Sequence, residues 1–346
     1  MSSKGIYIYG IVPNFYGAPH FQSLENSGVY AISYQKISAI VSDRETAYLD
    51  FLDRESLAHI LVHHQKTIED IMAKGFSMIL PMKLGTIVQS KEEVLNILAT
   101  GHDLMISTLK KIEYLTEIDL AVTWADFPGA IKEIAGNPDI IRLKDQLLQS
   151  GVALTQVDQV KIGMLLKEKL VEKNKAAELK ILEAFSTISL DIKIHDVMND
   201  EMITNSAALI NRNNTDQFER AIEKLDEQYN GALNFKIVGP LPCYSFFTIE
   251  VKELNAETVE NARKDLGLAE ETSENEIKKA YLAKAGLMHP DKSQNNQGGD
   301  DFNRIKNAYQ TLLEYSLAVR QGSNDNIIFL SEEKVVKNLI LVKIKE

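Results

Sequence analysis

Apolar and polar positions alternate along this chain in two rhythms. "GIYIYGIV", from Gly5, is β-branched and aromatic and reads as a strand. "VYAISYQKISAIVSD" holds two more short strand runs, which a Gln-Lys turn can join into a hairpin. Over residues 55–74 the period lengthens. Leu57, Ile60, Leu61, Ile68, Ile71 and Met72 fall on one helical face, and Gly75 stands as a C-cap. "SMILPMKLGTIV" is a strand interrupted by Pro81, residues 91–109 are helical, and "EIDLAVTW" is again a strand. This order predicts an α+β domain of ferredoxin-like type over residues 1–135.

From residue 136 a second α+β domain, also ferredoxin-like, is expected to run to 253. It opens with a short helix near 140–149. A long amphipathic helix follows, with an apolar seam of Val160, Met164, Leu165, Val171, Leu179 and Leu182 that is expected to face the core. "ITNSAALI" is a strand, and residues 216–229 are a helix stopped by Asn230-Gly231. "NFKIVGPLPCYSFFTIEV" gives strands around a proline-rich turn.

Residues 254–320 form an all-α module with its own punctuation. Ser273 and Glu276 make an S-x-x-E capping box at a helix start. Ile277, Ala280, Tyr281, Ala285 and Met288 share a face of that helix, and Pro290 ends it. After a polar stretch, Phe302, Ile305, Ala308, Tyr309 and Leu312 recur at helical spacing. The pattern predicts an antiparallel helical hairpin with His289-Pro290-Asp291 at its tip. The tail, 321–346, carries strand runs at 327–330 and 339–344. An exposed β tail is an aggregation hazard, so it should pair with a sheet of an earlier domain.

Composition narrows the function. The formal net charge of −11 disfavours nonspecific nucleic-acid binding and electrostatic attachment to anionic membranes. The lone Cys243 excludes an intrachain disulfide and fits a reducing compartment. The first residues lack the continuous apolar core of a signal peptide, and no run reaches the ~18 apolar residues of a membrane helix. A cytoplasmic protein, or one attached to a structure assembled in the cytoplasm, is expected.

No catalytic constellation stands out. His59 and His63 lie one helical turn apart, but the residues between them do not make H-E-x-x-H, and they read as a polar helix edge. Cys243 reads as a small core residue, and Trp124 and Asp126 as the end of a strand. No phosphate loop appears, so neither a metal nor a cofactor is implied.

Two resemblances join these observations. The run "DLGLAEETSENEIKKAYLAKAGLMHPDKS", followed by "FNRIKNAYQTL", resembles a DnaJ-type J-domain. That resemblance implies docking to a DnaK-type chaperone through His289, Pro290 and Asp291, with Lys278 and Lys279 steering an acidic partner. Leu282 and Ala283 stand where that family usually has basic residues. "GIYIYGIVP", "ISAIVSD", "LAHILVHHQKTIEDIM", "ILPMKLGTIV" and "FKIVGPLPCYSF" resemble, in order, the gas vesicle accessory proteins of the GvpL/GvpF family. This second resemblance implies a non-enzymatic assembly or structural protein that binds the gas vesicle shell protein and other accessory proteins. An alternative is a general J-domain co-chaperone whose first 250 residues bind unrelated clients.

Overall fold

The computed structural model describes residues 4–14, 28–45, 54–148, 154–288, 298–322, 328–330 and 339–345. They fall into two units: Met1–Lys110 with Phe247–Glu346, and Lys111–Phe246.

The first unit begins with β1 (Lys4–Pro13), β2 (Tyr30–Tyr34) and β3 (Ile37–Glu45), followed by α1 (Arg54–Ala73), β4 (Leu80–Pro81) and β5 (Ile87–Val88). The antiparallel order is β2-β3-β1-β4, with β5 also on β1. This is the ferredoxin-like order. Strand β1 is central, so it is covered on both sides and reads as a near-continuous apolar run; Ile8, Ile11 and Val12 are fully buried. On α1 the inward stripe is His64, Thr67, Ile68 and Ile71, whereas Leu61 is exposed. The expected face therefore needs correcting. A histidine takes the inward position because Tyr7 Oη meets its ring nitrogen (Nδ1) at 2.8 Å. The side chain of His59 lies outside the described set.

The helical run expected at 91–109 is two helices, α2 (Lys91–Thr100) and α3 (His102–Ile112). Gly101 separates them. A Cβ there would meet Val342 Cγ1 at 2.6 Å, so the glycine makes room for the chain's last strand.

In the second unit, β6 (Leu115–Trp124) leads to α4 (Phe127–Ala135), α5 (Pro138–Leu148) and α6 (Gln156–Ser186). Then come β7 (Ser189–Ile194), β8 (Met202–Asn211), α7 (Thr215–Tyr229) and β9 (Leu233–Leu241). The antiparallel order β7-β8-β6-β9 is again ferredoxin-like. One face of the sheet packs Ile118, Leu120 and Val122 against Ala177, Ile181 and Phe185 of α6 and Phe218 of α7.

Two expectations change here. The boundary expected between 135 and 136 falls after Lys110, because β6 is the centre of the second sheet and bonds to β8 and β9. The seam of α6 also turns. Its buried residues are Leu170, Ala177, Ile181 and Phe185, while Val160, Met164, Val171 and Leu179 are exposed. Asn174, in line with the buried stripe, accepts from the Trp124 indole at 2.8 Å and so fixes which face turns inward.

The chain then returns to the first unit with β10 (Thr248–Leu254), α8 (Ala256–Leu266), β11 (Glu271–Thr272), α9 (Glu274–Met288), α10 (Gly298–Gly322), β12 (Ile328–Phe329) and β13 (Leu339–Lys345). The second domain thus stops at Phe246 rather than 253. Strand β13 pairs antiparallel with β10 over its whole length, and β12 pairs with β11. Leu254, Val259, Leu266, Ile277, Ile305, Leu312 and Tyr315 share a core with Leu330 and Leu341 of the tail.

Candidate functional site

The helical hairpin is built from its caps inward. At the start of α9, Glu276 accepts from Ser273 N–H at 2.8 Å and Ser273 Oγ accepts from Glu276 N–H at 3.4 Å. This reciprocal cap satisfies donors that the helix cannot. Ile277 and Ile305 pack between the helices, and Tyr281 stacks on Tyr309 at 4.2 Å and 11°. Helix α8 ends at Gly267, whose φ of +70° suits the residue after a helix. Asp265 then joins all three helices: its carbonyl accepts from Lys284 Nζ at 2.6 Å and its carboxylate meets Arg304 at 3.5 Å.

Lys278 and Lys279 are exposed on α9, beside exposed Leu282. Lys284 is committed to the α8 terminus instead. His289, Pro290 and Asp291 lie outside the described residues.

An ion ladder ties this hairpin to the strands of its own unit. Glu314 of α10 is buried and accepts from Lys252 of β10, from Lys343 of β13 at 3.2 Å and from Gln310 at 3.2 Å. Lys343 also meets Glu250 at 3.5 Å, and Glu250 meets Lys83 at 3.3 Å. Burial alone would raise the Glu314 carboxyl, but these donors hold it below its ordinary range. The module is thus fastened to its neighbours by main-chain pairing, apolar packing and paired charges.

The second site surrounds the "GPLPCYSF" segment, which begins in the last three residues of β9 and turns away after Leu241. Glu117 of β6 is buried on the sheet face opposite the helices. It accepts from Ser245 N–H at 2.8 Å and from Ser245 Oγ at 2.8 Å. Burial pushes its carboxyl well above the usual range; the two Ser245 donors oppose that shift and the neighbouring Asp119 carboxyl adds to it. Lys193 Nζ donates to Ser245 O at 2.8 Å, and His195 Nε2 lies 3.4 Å from Ser245 Oγ. A Cβ on Gly239 would sit 3.1 Å from Glu117 O and 3.3 Å from Ile118 Cα. The glycine therefore lets the turn close onto β6.

Cys243 is buried and burial pushes its thiol up to about 12, which leaves no thiolate at neutral pH. Ser245, Glu117 and His195 meet here: Ser245 Oγ donates a hydrogen bond to Glu117, and the cluster fastens the turn to β6. Sequence reasoning missed Glu117, Ser245 and His195. The only signal was an acid inside an apolar strand, and its partner lies 128 residues away. On α1, the backbone carbonyl of exposed His63 accepts from Thr67 Oγ1 at 2.8 Å, and its ring faces Arg44, whose terminal nitrogen (Nη2) lies 2.7 Å from Nδ1. Among the described residues, no group of three metal-ligating side chains converges and no helix is long and apolar enough to cross a membrane.

The comparisons fall on the same two regions. A family model described as gas vesicle synthesis protein GvpL/GvpF matches residues 5–248, and a DnaJ domain model matches residues 264–316. Gas vesicle protein F of Nostoc sp. (strain PCC 7120) is 24% identical over 251 residues, spanning 71% of this chain and 99% of its own length. Gas vesicle protein F of Haloferax mediterranei is 20% identical over 255 residues, spanning 72% of this chain and 96% of its own. The crystal structure of GvpF from Anabaena sp. PCC7120 superposes with a TM-score of 0.56 at 22% identity, over 70% of this chain and 98% of its own. GvpF from Microcystis aeruginosa superposes with a TM-score of 0.51 at 20% identity, over 70% of this chain and 98% of its own. The matched relatives are thus spanned almost completely by about seven-tenths of this chain, and the rest carries the DnaJ domain: the chain belongs to the gas vesicle synthesis protein GvpL/GvpF family.

Proposed function

We propose that this protein is a non-enzymatic assembly factor that holds the gas vesicle shell protein and brings a DnaK-type chaperone to it. The observation that carries the reading is the union, in one chain, of the GvpL/GvpF region and a DnaJ domain. The physical need is plain. A protein that walls off gas must be apolar on one face, and before assembly that face aggregates. A factor that covers it and recruits an ATP-driven chaperone keeps it usable.

Two features support the division of labour. The helix that precedes His289-Pro290-Asp291 in the chain exposes Lys278 and Lys279, which suit an acidic chaperone surface. Helix α6 exposes Val157, Val160, Met164 and Val171 within one angular sector, an apolar stripe that fits an amphipathic shell protein. Binding at that stripe would place the shell protein on the second unit and leave the hairpin for the chaperone. Gas vesicles or the cytoplasm are the places for such work.

The test replaces His289 with Gln in a gas-vesicle-forming cell. Vesicle yield should fall severalfold while the protein itself persists and still binds shell protein. An unchanged yield contradicts chaperone delivery. Equal binding of generic unfolded clients would favour the general co-chaperone.

A further inference from the structure

The outer strand of the second sheet is built unlike a guarded edge. Strand β7 has β8 on one side and, among the described residues, no strand of its sheet on the other. His195 N–H reaches Asn205 O at 2.7 Å, so by alternation Lys193 and Asp191 turn their backbone groups towards β8. Ile192 therefore points its N–H and C=O outward. The position of its N–H agrees, since it is held by the neighbouring Asp191 carboxylate at 2.9 Å and not by β8. Beside Asp191 and Lys193, this edge exposes apolar side chains: Leu190 is 67% exposed and Ile194 57%.

We propose that β7 is a self-complementary edge through which two copies of this chain pair. The argument is one of register. Antiparallel pairing about a two-fold axis at Ile192 sets Leu190 opposite Ile194 of the second copy. It sets Asp191 opposite Lys193 of the second copy, and symmetry makes each pair twice. The outward backbone groups of Ile192 then bond to their own counterparts, which is the hydrogen-bonded type of antiparallel pair. Moving the axis one residue in either direction sets Asp191 against Asp191, or Lys193 against Lys193. Of these three registers, charge selects the one centred on Ile192.

In the pair, the carbonyl of the second copy's Ile192 takes over the N–H that Asp191 holds, and the released carboxylate turns to Lys193. The Lys193 ammonium bonds to Ser245 O and has two more protons for this. Val197 and Met198, just past the strand, are exposed as well.

The experiment is sedimentation velocity on the full chain over a wide concentration range. The expected result is a reversible shift from 38.8 kDa to twice that mass. Asp191→Lys should weaken the dimer by about tenfold or more, because it sets like charges opposite at two places. The double variant Asp191→Lys with Lys193→Asp should restore it. Ile194→Lys, which leaves the charges of the pair alone, should also dissociate the dimer. Circular dichroism identical to wild type keeps each variant informative. A wild-type chain that stays monomeric throughout, or a dimer indifferent to Asp191→Lys and Ile194→Lys, overturns the proposal. So does a monomer whose β7 edge binds extended peptides of other proteins, which would make the occupant a foreign strand.

Discussion

Ser245 shows how much one small side chain can hold. It closes the second unit's proline-rich turn by giving two hydrogen bonds to one buried carboxyl. Removing the acceptor strands both donors, so Glu117→Ala should cost about 1–3 kcal/mol, more than Ser245→Ala at about 1 kcal/mol. Trp124 is the chain's single tryptophan and sits in that unit, so its fluorescence in urea reads the loss there alone. The raised carboxyl of Glu117 gives this unit a stability that falls as pH climbs from the ordinary carboxylate range, since the folded state binds the extra proton. His64 acts in the opposite sense in the first unit. Burial lowers it from 6.5 to about 4, with Arg44 and His63 adding to the shift. The unfolded chain then binds the proton first, and stability falls as pH drops through that window. Between about pH 7 and about pH 5 the loss should be about 2 kcal/mol, read by amide exchange in β1. A His64→Phe variant should not show it.

Among the elements, the ion ladder and the exposed stripe of α6 carry the predictions. Glu314→Ala removes the carboxylate that Lys252 and Lys343 share and leaves Lys343 only its contact with Glu250. It should cost about 1–3 kcal/mol, held to the lower side because both lysines are part-exposed. Amide exchange in β13 and α10 should accelerate while that of the second unit stays unchanged. Met164→Lys with Val160→Lys should lower shell-protein retention severalfold without changing the thermal midpoint, since neither residue supports the core. The sequence made much of this level legible. Alternation marked β1 and β3, Ser273 and Glu276 marked the start of α9, and the apolar tail signalled a strand that must be paired. It misled where a local pattern is overruled from afar. The apolar seam of α6 is as periodic as its buried face, and the partners that turn the latter inward are distant in sequence, Trp124 standing fifty positions before Asn174. Strand β6 looked like the end of the first domain because its partners, β8 and β9, lie downstream. Glu117 was unreadable for the same reason.

For the whole molecule, the account rests on where the extra segment is placed. The DnaJ domain is not hung on the end of a linker: it shares a core with β12 and β13, and β13 pairs with β10 of the same unit. A chaperone that docks on α9 would therefore be held in a fixed relation to the first ferredoxin-like sheet. The measurement that tests the central claim most directly is single-turnover ATP hydrolysis by a DnaK-type chaperone, with shell protein present and this protein added intact or as His289→Gln. The account predicts stimulation by the intact chain that is lost in the variant. No stimulation by either would contradict it, and the role of the chain would then rest on its GvpL/GvpF region alone.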